Sequence, residues 1–294
     1  MSENLGKIVR NLIVARPGHT FLARDYSGIE AVLVGYFAMC PRYIRLAKMD
    51  VHSFYTAYGL NALDGRIATA DLPDPNWPDD RLRPHLADIK KRFKEDRNNL
   101  YKHLVHGANF YQGAKGAQEK IHLETGIEYP VKTVAKVMDV YFELFPEIRK
   151  WHNSLWLQVE RDGYIRNPFG YIQRFNKVFD YENIGGKWIK SPGPDANKVV
   201  ASGPQSTAAG IITEAMMRLY YERFEEAGQW LRLLVHDELF LEPPDPVVDD
   251  VEKVLTEEME KPIPELAMPE SWGMGPHLGI LTEGKRGKRW GEMR

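Results

Sequence analysis

Residues 233–242, LLVHDELFLE, set His236, Asp237 and Glu238 inside a run that otherwise reads as apolar strand. A carboxylate among buried strand residues is costly unless it is paired or binds a metal. Leu231, Leu233 and Val235 alternate on one side, Leu239 and Leu241 resume after the charged triplet, and two prolines end the second arm. This spacing predicts a hairpin whose tight turn carries His236 and Asp237.

A second carboxylate occupies a comparable place. HTFLARDYSGIEAVLVGYFAM, 19–39, begins strand-like through Phe21, Leu22 and Ala23. After Ser27, an N-cap residue with Glu30 three positions on, it becomes an apolar helix. Asp25 therefore falls where a strand ends and a helix begins. Adjacent strands would bring Asp25 and Asp237 to one sheet edge, where both would bind divalent cations. Magnesium takes oxygen ligands and keeps waters and phosphates as its remaining partners, so two carboxylates suffice. Two metals ~3.5–4 Å apart activate a hydroxyl and stabilise a leaving phosphate oxygen. The plainer reading makes Asp25 a helix cap and Asp237 an ordinary turn residue. Taken singly, the residues leave both readings open.

The 294-residue chain is long enough for a full-sized core, and its 43% hydrophobic and 27% charged residues are those of a globular protein. No run approaches the ~18 uninterrupted apolar residues of a membrane helix, and MSENLGKIVRN has no apolar signal-peptide core. A single cysteine, Cys40, excludes an internal disulfide and a zinc cluster and fits a reducing, cytoplasmic setting, that of a bacterium or a phage-infected host. The net charge of -2 argues against a protein that coats nucleic acid by bulk charge. Between 81 and 102, however, eight basic residues face three acidic ones, and EGKRGKRWGEMR is a second basic cluster; taken alone, each reads as a solvated face or tail.

DLPDPNWPDD, 71–80, carries three prolines and predicts a loop feeding a separate helical lobe. Residues 131–162 read as an amphipathic helix interrupted near Pro146, and 163–175 as a turn-rich hairpin. A further helix is expected from about Pro204, stopped by Gly228. The fold class expected is α+β, a small antiparallel sheet heavily covered by helices.

These pieces, in this order, carry a resemblance. DYSGIE at 25–30 resembles motif A of the family A (DNA polymerase I type) DNA polymerases, usually DYSQIE, and VHDE at 235–238 resembles motif C. MDVHSFYTA at 49–57 is similar to the DIHxxTA segment, KHLVHGANFYQG at 102–113 to the fingers helix of motif B, and PQSTAAGII at 204–212 to MQGTAADII. LGILTEGKRGKRW resembles the family's closing segment, so the likeness runs from about Gly6 to Trp290.

The resemblance implies a polymerase palm with a small antiparallel sheet and a helical fingers subdomain, without thumb or exonuclease domain. Residues 1–60 would be the first part of the palm, 61–175 mainly fingers, and 176–294 the second part of the palm. The activity implied is template-directed addition of dNMP to a primer 3′ end. Asp25 and Asp237 would hold two Mg2+ ions, replaceable by Mn2+, with the Tyr26 carbonyl as a further ligand and Glu238 assisting. Glu30 would be a steric gate against a 2′-hydroxyl. Lys102 would pair with the triphosphate. His106 and Phe110, four and eight residues on, share its helical stripe; His106 takes an aromatic position, and Phe110 would stack by the nascent base pair. His52 would touch the β-phosphate, Gln205 would read the minor groove near the primer end, and His236 would contact the primer terminus.

Departures from the pattern concern phosphate and DNA contacts. Gly28 and Val32 replace a glutamine and an arginine of motif A. Asn98 stands where motif B has an arginine; Arg97, about 100° round the helix, Arg92 or Lys94 would supply the phosphate grip on that side, or the grip is weak. Asn197 and Ala201 replace an arginine and an asparagine, with Lys198 as the nearby substitute. Primer-template DNA and dNTPs are the expected partners, no membrane is expected, and a separate chain is expected to supply thumb and exonuclease, as in a split, phage-encoded enzyme, unless the sequence is a truncation. Two rivals are a single-subunit RNA polymerase, disfavoured by Glu30 and by Glu238 where those enzymes commonly have serine, and a non-catalytic DNA-binding scaffold, which needs neither aspartate.

Overall fold

The computed structural model describes residues 5–293. Its first elements are α1 (Leu5–Asn11), β1 (Phe21–Tyr26), α2 (Ile29–Phe37), α3 (Pro41–Ala47) and α4 (Val51–Asp64). A helical run comes after them: α5 (Asp79–Arg92), α6 (Lys94–Asp96), a π-helical turn (Arg97–Tyr101), α7 (Lys102–Asn109), α8 (Ala114–Thr125), α9 (Val131–Leu144) and α10 (Pro146–Asp162). Next come two hairpins, β2 (Tyr164–Arg166) with β3 (Ile172–Arg174) and β4 (Phe179–Ile184) with β5 (Lys187–Pro192). The last elements are α11 (Ala196–Tyr221), β6 (Leu231–Val235), β7 (Glu238–Leu241), α12 (Val248–Met259) and β8 (Thr282–Gly287). The class is α+β, with small antiparallel sheets among predominant helices. Among the described residues, no helix is long and apolar enough to cross a membrane.

The chain forms two units, Met1–Ile29 with Thr207–Arg294, and Glu30–Ser206. The first is discontinuous because β1 pairs with strands from the far end of the sequence. Its sheet has the order β6-β7-β1-β8, with every neighbour antiparallel. Pleating sends Leu22, Arg24 and Tyr26 to one face and Phe21, Ala23 and Asp25 to the other. On the first face Leu22, Leu239 and Leu241 are fully buried, each contributing about 1.5–3 kcal/mol. There the Tyr26 hydroxyl donates to the Met259 carbonyl at the end of α12 (2.8 Å). Arg24 donates to Thr282 Oγ1 (2.7 Å) and pairs with Glu252 of α12 (3.3 Å). On the second face Phe21, Ala23 and Phe240 form a small apolar cluster with Ala15, Trp290 and Met293. These two packings fix the plane of β1 and so the direction of Asp25.

In the second unit the core is aromatic, with Tyr43, Phe54, Tyr55, Tyr101, Tyr141 and Phe145 fully buried. Their hydroxyls need acceptors. Tyr43 and Tyr141 both donate to Asn109 Oδ1 (2.9 and 2.5 Å), Tyr55 donates to the Val137 carbonyl (2.6 Å), and His152 Nε2–H donates to the Asn109 carbonyl (2.9 Å). Asn109 thereby ties the end of α7 to α3, α9 and α10, which holds the helix bearing Lys102 in one orientation.

Four local expectations are corrected. Helix α2 starts at Ile29, not directly after Ser27, because Gly28 makes a left-handed turn (φ 63°) between strand and helix. Helix α11 runs from Ala196 through Pro204 and ends at Tyr221, well before Gly228. The residue before a proline is normally pushed out of the helical region partly by its Cβ, and Gly203 has none. Strand β6 is not core: Leu233 and Leu234 are 43% and 40% exposed, because β6 is an edge strand, bulged between Leu231 and Leu233. The basic cluster near the end is not a tail, since part of it is β8, paired along the whole length of β1. The β4–β5 hairpin was not anticipated either, although Gly185-Gly186, with φ of 61° and 84°, is the turn signal for one.

Candidate active site

Asp25 is the penultimate residue of β1 and the cross-strand partner of Glu238 on β7 and of Glu283 on β8. His236 and Asp237 form the two-residue turn between β6 and β7, with His236 in the left-handed region (φ 57°). The Tyr26 amide donates to the Asp237 carbonyl (3.3 Å), which pins the turn to the end of β1. The hairpin predicted from LLVHDELFLE thus sets Asp237 and Glu238 beside Asp25. Lys285, one strand over on β8, places Nζ 3.3 Å from Asp25 Oδ1 and 3.3 Å from Glu238 Oε2.

The electrostatics arise from that crowding. Burial raises the Asp237 pKa and the charge of Asp25 adds to it, which together outweigh a hydrogen bond to the main-chain amide of Asp237 itself and the charges of His236 and Lys285. Burial would lower Lys285, but the charges of Asp25 and Glu238 outweigh it and the net shift is upward. Asp25 Oδ1 is buried and accepts no hydrogen bond of good geometry. A buried acceptor-only oxygen met by the Lys285 ammonium at 3.3 Å, beside a second carboxylate that resists ionisation, is of a kind that a hard divalent cation could relieve. Among the described residues, no group of three or more His, Cys, Asp or Glu side chains is arranged to hold a metal. The residues that could hold one are the carboxylates of Asp25 and Asp237, since magnesium completes so small a set of oxygen ligands with water and phosphate.

The motif B residues lie in the second unit. Lys102 is exposed at the first turn of α7, directly after the π-helical turn. His106 is exposed one turn on, its Nε2 3.6 Å from Glu30 Oε2. Its pKa is lowered, first by partial desolvation and then by Lys120 and His103, against Glu124. Phe110 caps the helix, with its ring 5.0 Å from that of His106 and only 8% of its surface exposed. His52 on α4 has a buried Nδ1 without a hydrogen-bond partner. Burial lowers its pKa to about 4, and Arg97, Lys102 and His106 add to the shift against Asp50; the ring is therefore neutral near pH 7.

Arg97 is placed otherwise than expected. It donates from Nη2 to Asp50 Oδ1 (2.8 Å) and from Nε to Ser53 Oγ (3.0 Å), and only 12% of its side chain is exposed. Asp50 also caps α4 through the Ser53 amide (3.0 Å). Burial would raise Asp50, but Arg97 and Ser53 outweigh it and hold its carboxyl below the usual range. Arg97 is thus occupied in joining the π-helical turn to the start of α4. Lys198 is exposed and pairs with Asp195 (2.8 Å), and Gln205 is exposed on α11 just after Pro204.

Sequence reasoning missed Lys285 and Asp50. Asp50 had a readable signal, an Asx residue three before Ser53 at the head of a helical period. Lys285 had only the alternation of TEGKRG, whose meaning depends on which strand it pairs with.

A family model described as DNA polymerase family A matches residues 87–292. The thermostable DNA polymerase I of Thermus thermophilus is 25% identical over 281 residues, covering 91% of this chain and 28% of that protein. That of Thermus filiformis is 28% identical over 264 residues, covering 88% and 27%. DNA polymerase I of Chloroflexus aurantiacus is 26% identical over 284 residues, covering 94% and 26%. The chain therefore spans about 28% or less of the length of these relatives. Among solved structures, the POL domain of Pol1 from M. smegmatis, in complex with DNA primer-template and dNTP, has the same fold, with a TM-score of 0.64 at 19% identity over 100% of this chain and 44% of that one. With the motif A and motif C strands paired and most of its length matched by the family model, this chain belongs to DNA polymerase family A.

Proposed function

We propose that the chain is the catalytic palm and fingers of a template-directed DNA polymerase that adds dNMP to a primer 3′ end. The observation that carries the proposal is the pairing of Asp25 with Glu238, with Asp237 in the adjoining turn tied to the Tyr26 amide. Asp25, Asp237 and the Tyr26 carbonyl would hold Mg2+, with Mn2+ as an alternative, and Glu238 would support them. When bound, the metal lowers the pKa of the primer hydroxyl and stabilises the leaving oxygen. The protein's share is positioning and electrostatics. Asp25 and Asp237 keep two carboxylates at the sheet end, and His236, exposed in the turn, is assigned to the primer terminus.

In the Glu30–Ser206 unit, Lys102 is assigned to the triphosphate as a point charge. Glu30 is assigned to exclusion of a 2′-hydroxyl, and its 3.6 Å approach to His106 orients it. Phe110 is assigned to the base pair, neutral His52 to the β-phosphate as a hydrogen-bonding group, and Gln205 and Lys198 to DNA. Arg97, occupied by Asp50, is assigned to ordering the helix ahead of Lys102. The partners are primer-template DNA and dNTPs, and a separate chain carrying thumb and exonuclease functions belongs to the same proposal.

The test is Mg2+-dependent primer extension with wild type, Asp25→Asn and Asp237→Asn, with and without candidate partner chains. Each variant should lose extension by about 1000-fold or more and still bind primer-template. Wild type that extends nothing under any of these conditions would leave a DNA-binding scaffold as the better reading, and preference for NTPs would point to RNA synthesis.

A further inference from the structure

Ala23 of β1 is the cross-strand partner of Lys285 on β8, and Asp25 lies two residues further along the same face. Glu238 faces Asp25 from the other side. The pleat therefore aims Lys285 at the metal-binding end of the sheet. The neighbouring cations are engaged elsewhere: Arg24 pairs with Glu252 and Glu260, Arg286 with Asp249 and Glu252, and Lys288 with Asp245. Among the described residues, the ion pairs of Asp25 and Glu238 are those with Lys285, at 3.3 Å each. Asp237, Glu283 and His236 complete the titratable surroundings of this face.

We infer that Lys285 is a resident counter-cation of the carboxylate site, a positioning residue that holds Asp25 and Glu238 together without metal and must release Asp25 Oδ1 for a divalent ion to bind. The inference rests on the polymerase reading of Asp25 and Asp237. An ammonium group ~3 Å from a carboxylate oxygen and a magnesium ion ~2.1 Å from the same oxygen would crowd and repel one another. The side chain has room to withdraw, since it is 44% exposed. Lys285 therefore raises the divalent-ion concentration at which the site fills, in exchange for order when the site holds no ion.

The experiment measures Mn2+ binding to the whole chain by electron paramagnetic resonance, together with the Tm in EDTA, for wild type, Lys285→Met, Lys285→Gln, Lys285→Arg and Asp25→Asn. The two neutral variants should bind Mn2+ about tenfold more tightly and melt a few degrees lower in EDTA, and Lys285→Arg should restore both values toward wild type. Neutral variants within twofold of wild-type affinity, while Asp25→Asn abolishes binding, overturn this inference and leave the metal assignment intact. Undiminished Mn2+ binding in Asp25→Asn overturns the metal assignment itself, and this inference with it.

Discussion

Asp237 occupies a two-residue turn, partly buried and beside a second carboxylate, and both conditions favour its protonated form. A carboxyl whose pKa is raised by folding adds stability below its unfolded pKa and loses it as pH rises through the folded one. At neutral pH the ionised group is thus a burden on the fold, one that the proposed divalent ion would relieve. Asp237→Asn, which keeps turn chemistry without the charge, should raise the Tm in EDTA by ~1–3 °C while abolishing extension; a Tm equal to or below that of wild type would contradict the argument. Asp25 and Asp237 were legible in the sequence because charge interrupts an apolar alternation. Lys285 was not, because a lysine in a basic stretch looks the same whether solvated or paired. The setting of Arg97 was hidden as well, since its partner Asp50 comes from another part of the chain, at the head of α4.

Among the elements, the π-helical turn Arg97–Tyr101 is the least regular, and it sits directly ahead of Lys102. An extra residue in one turn rotates the downstream helix about its axis relative to the upstream one, and Arg97 and Tyr101 hold the turn from either end. Tyr101 packs so closely on α4 that a Cβ at Gly59 would overlap its ring. Gly59→Ala gains helix propensity and yet should destabilise the protein by about 1–3 kcal/mol, read as a lower urea midpoint; unchanged or increased stability would show that the ring moves freely. Helices α9 and α10 were legible because Pro146 separates two strong apolar periods. The early start of α11 was not, because Gly203 softens the proline signal, and no local pattern forecasts a π turn.

For the molecule as a whole, acid should be the sensitive direction. Burial lowers both His52 and His152 to about 4, while an unfolded histidine titrates near 6.5. Between these values the unfolded chain binds more protons, so stability is fully present above about pH 6.5 and is lost as pH falls toward 4. Asp50, with its lowered pKa, adds a further loss only at the acid end of that window. Thermal melts should be nearly flat from pH 7 to 8 and fall steeply from 6.5 to 4, and His152→Gln should flatten part of that slope; a Tm constant across the window would refute the buried-neutral assignment. The fold class was readable from local patterns, whereas the breaks at Ile29–Glu30 and Ser206–Thr207 were not, because they depend on which distant strands complete the sheet.

The register of β1, with Asp25 opposite Glu238 and Glu283, also bears on how the chain is made. A ribosome delivering ~5–20 residues per second leaves β1 waiting on the order of 10–50 s for the strands that pair with it. Residues 30–206 have their own core and emerge complete during that interval. The strand that presents Asp25 is synthesised before residues 30–206, and the strands that pair with it are synthesised after them.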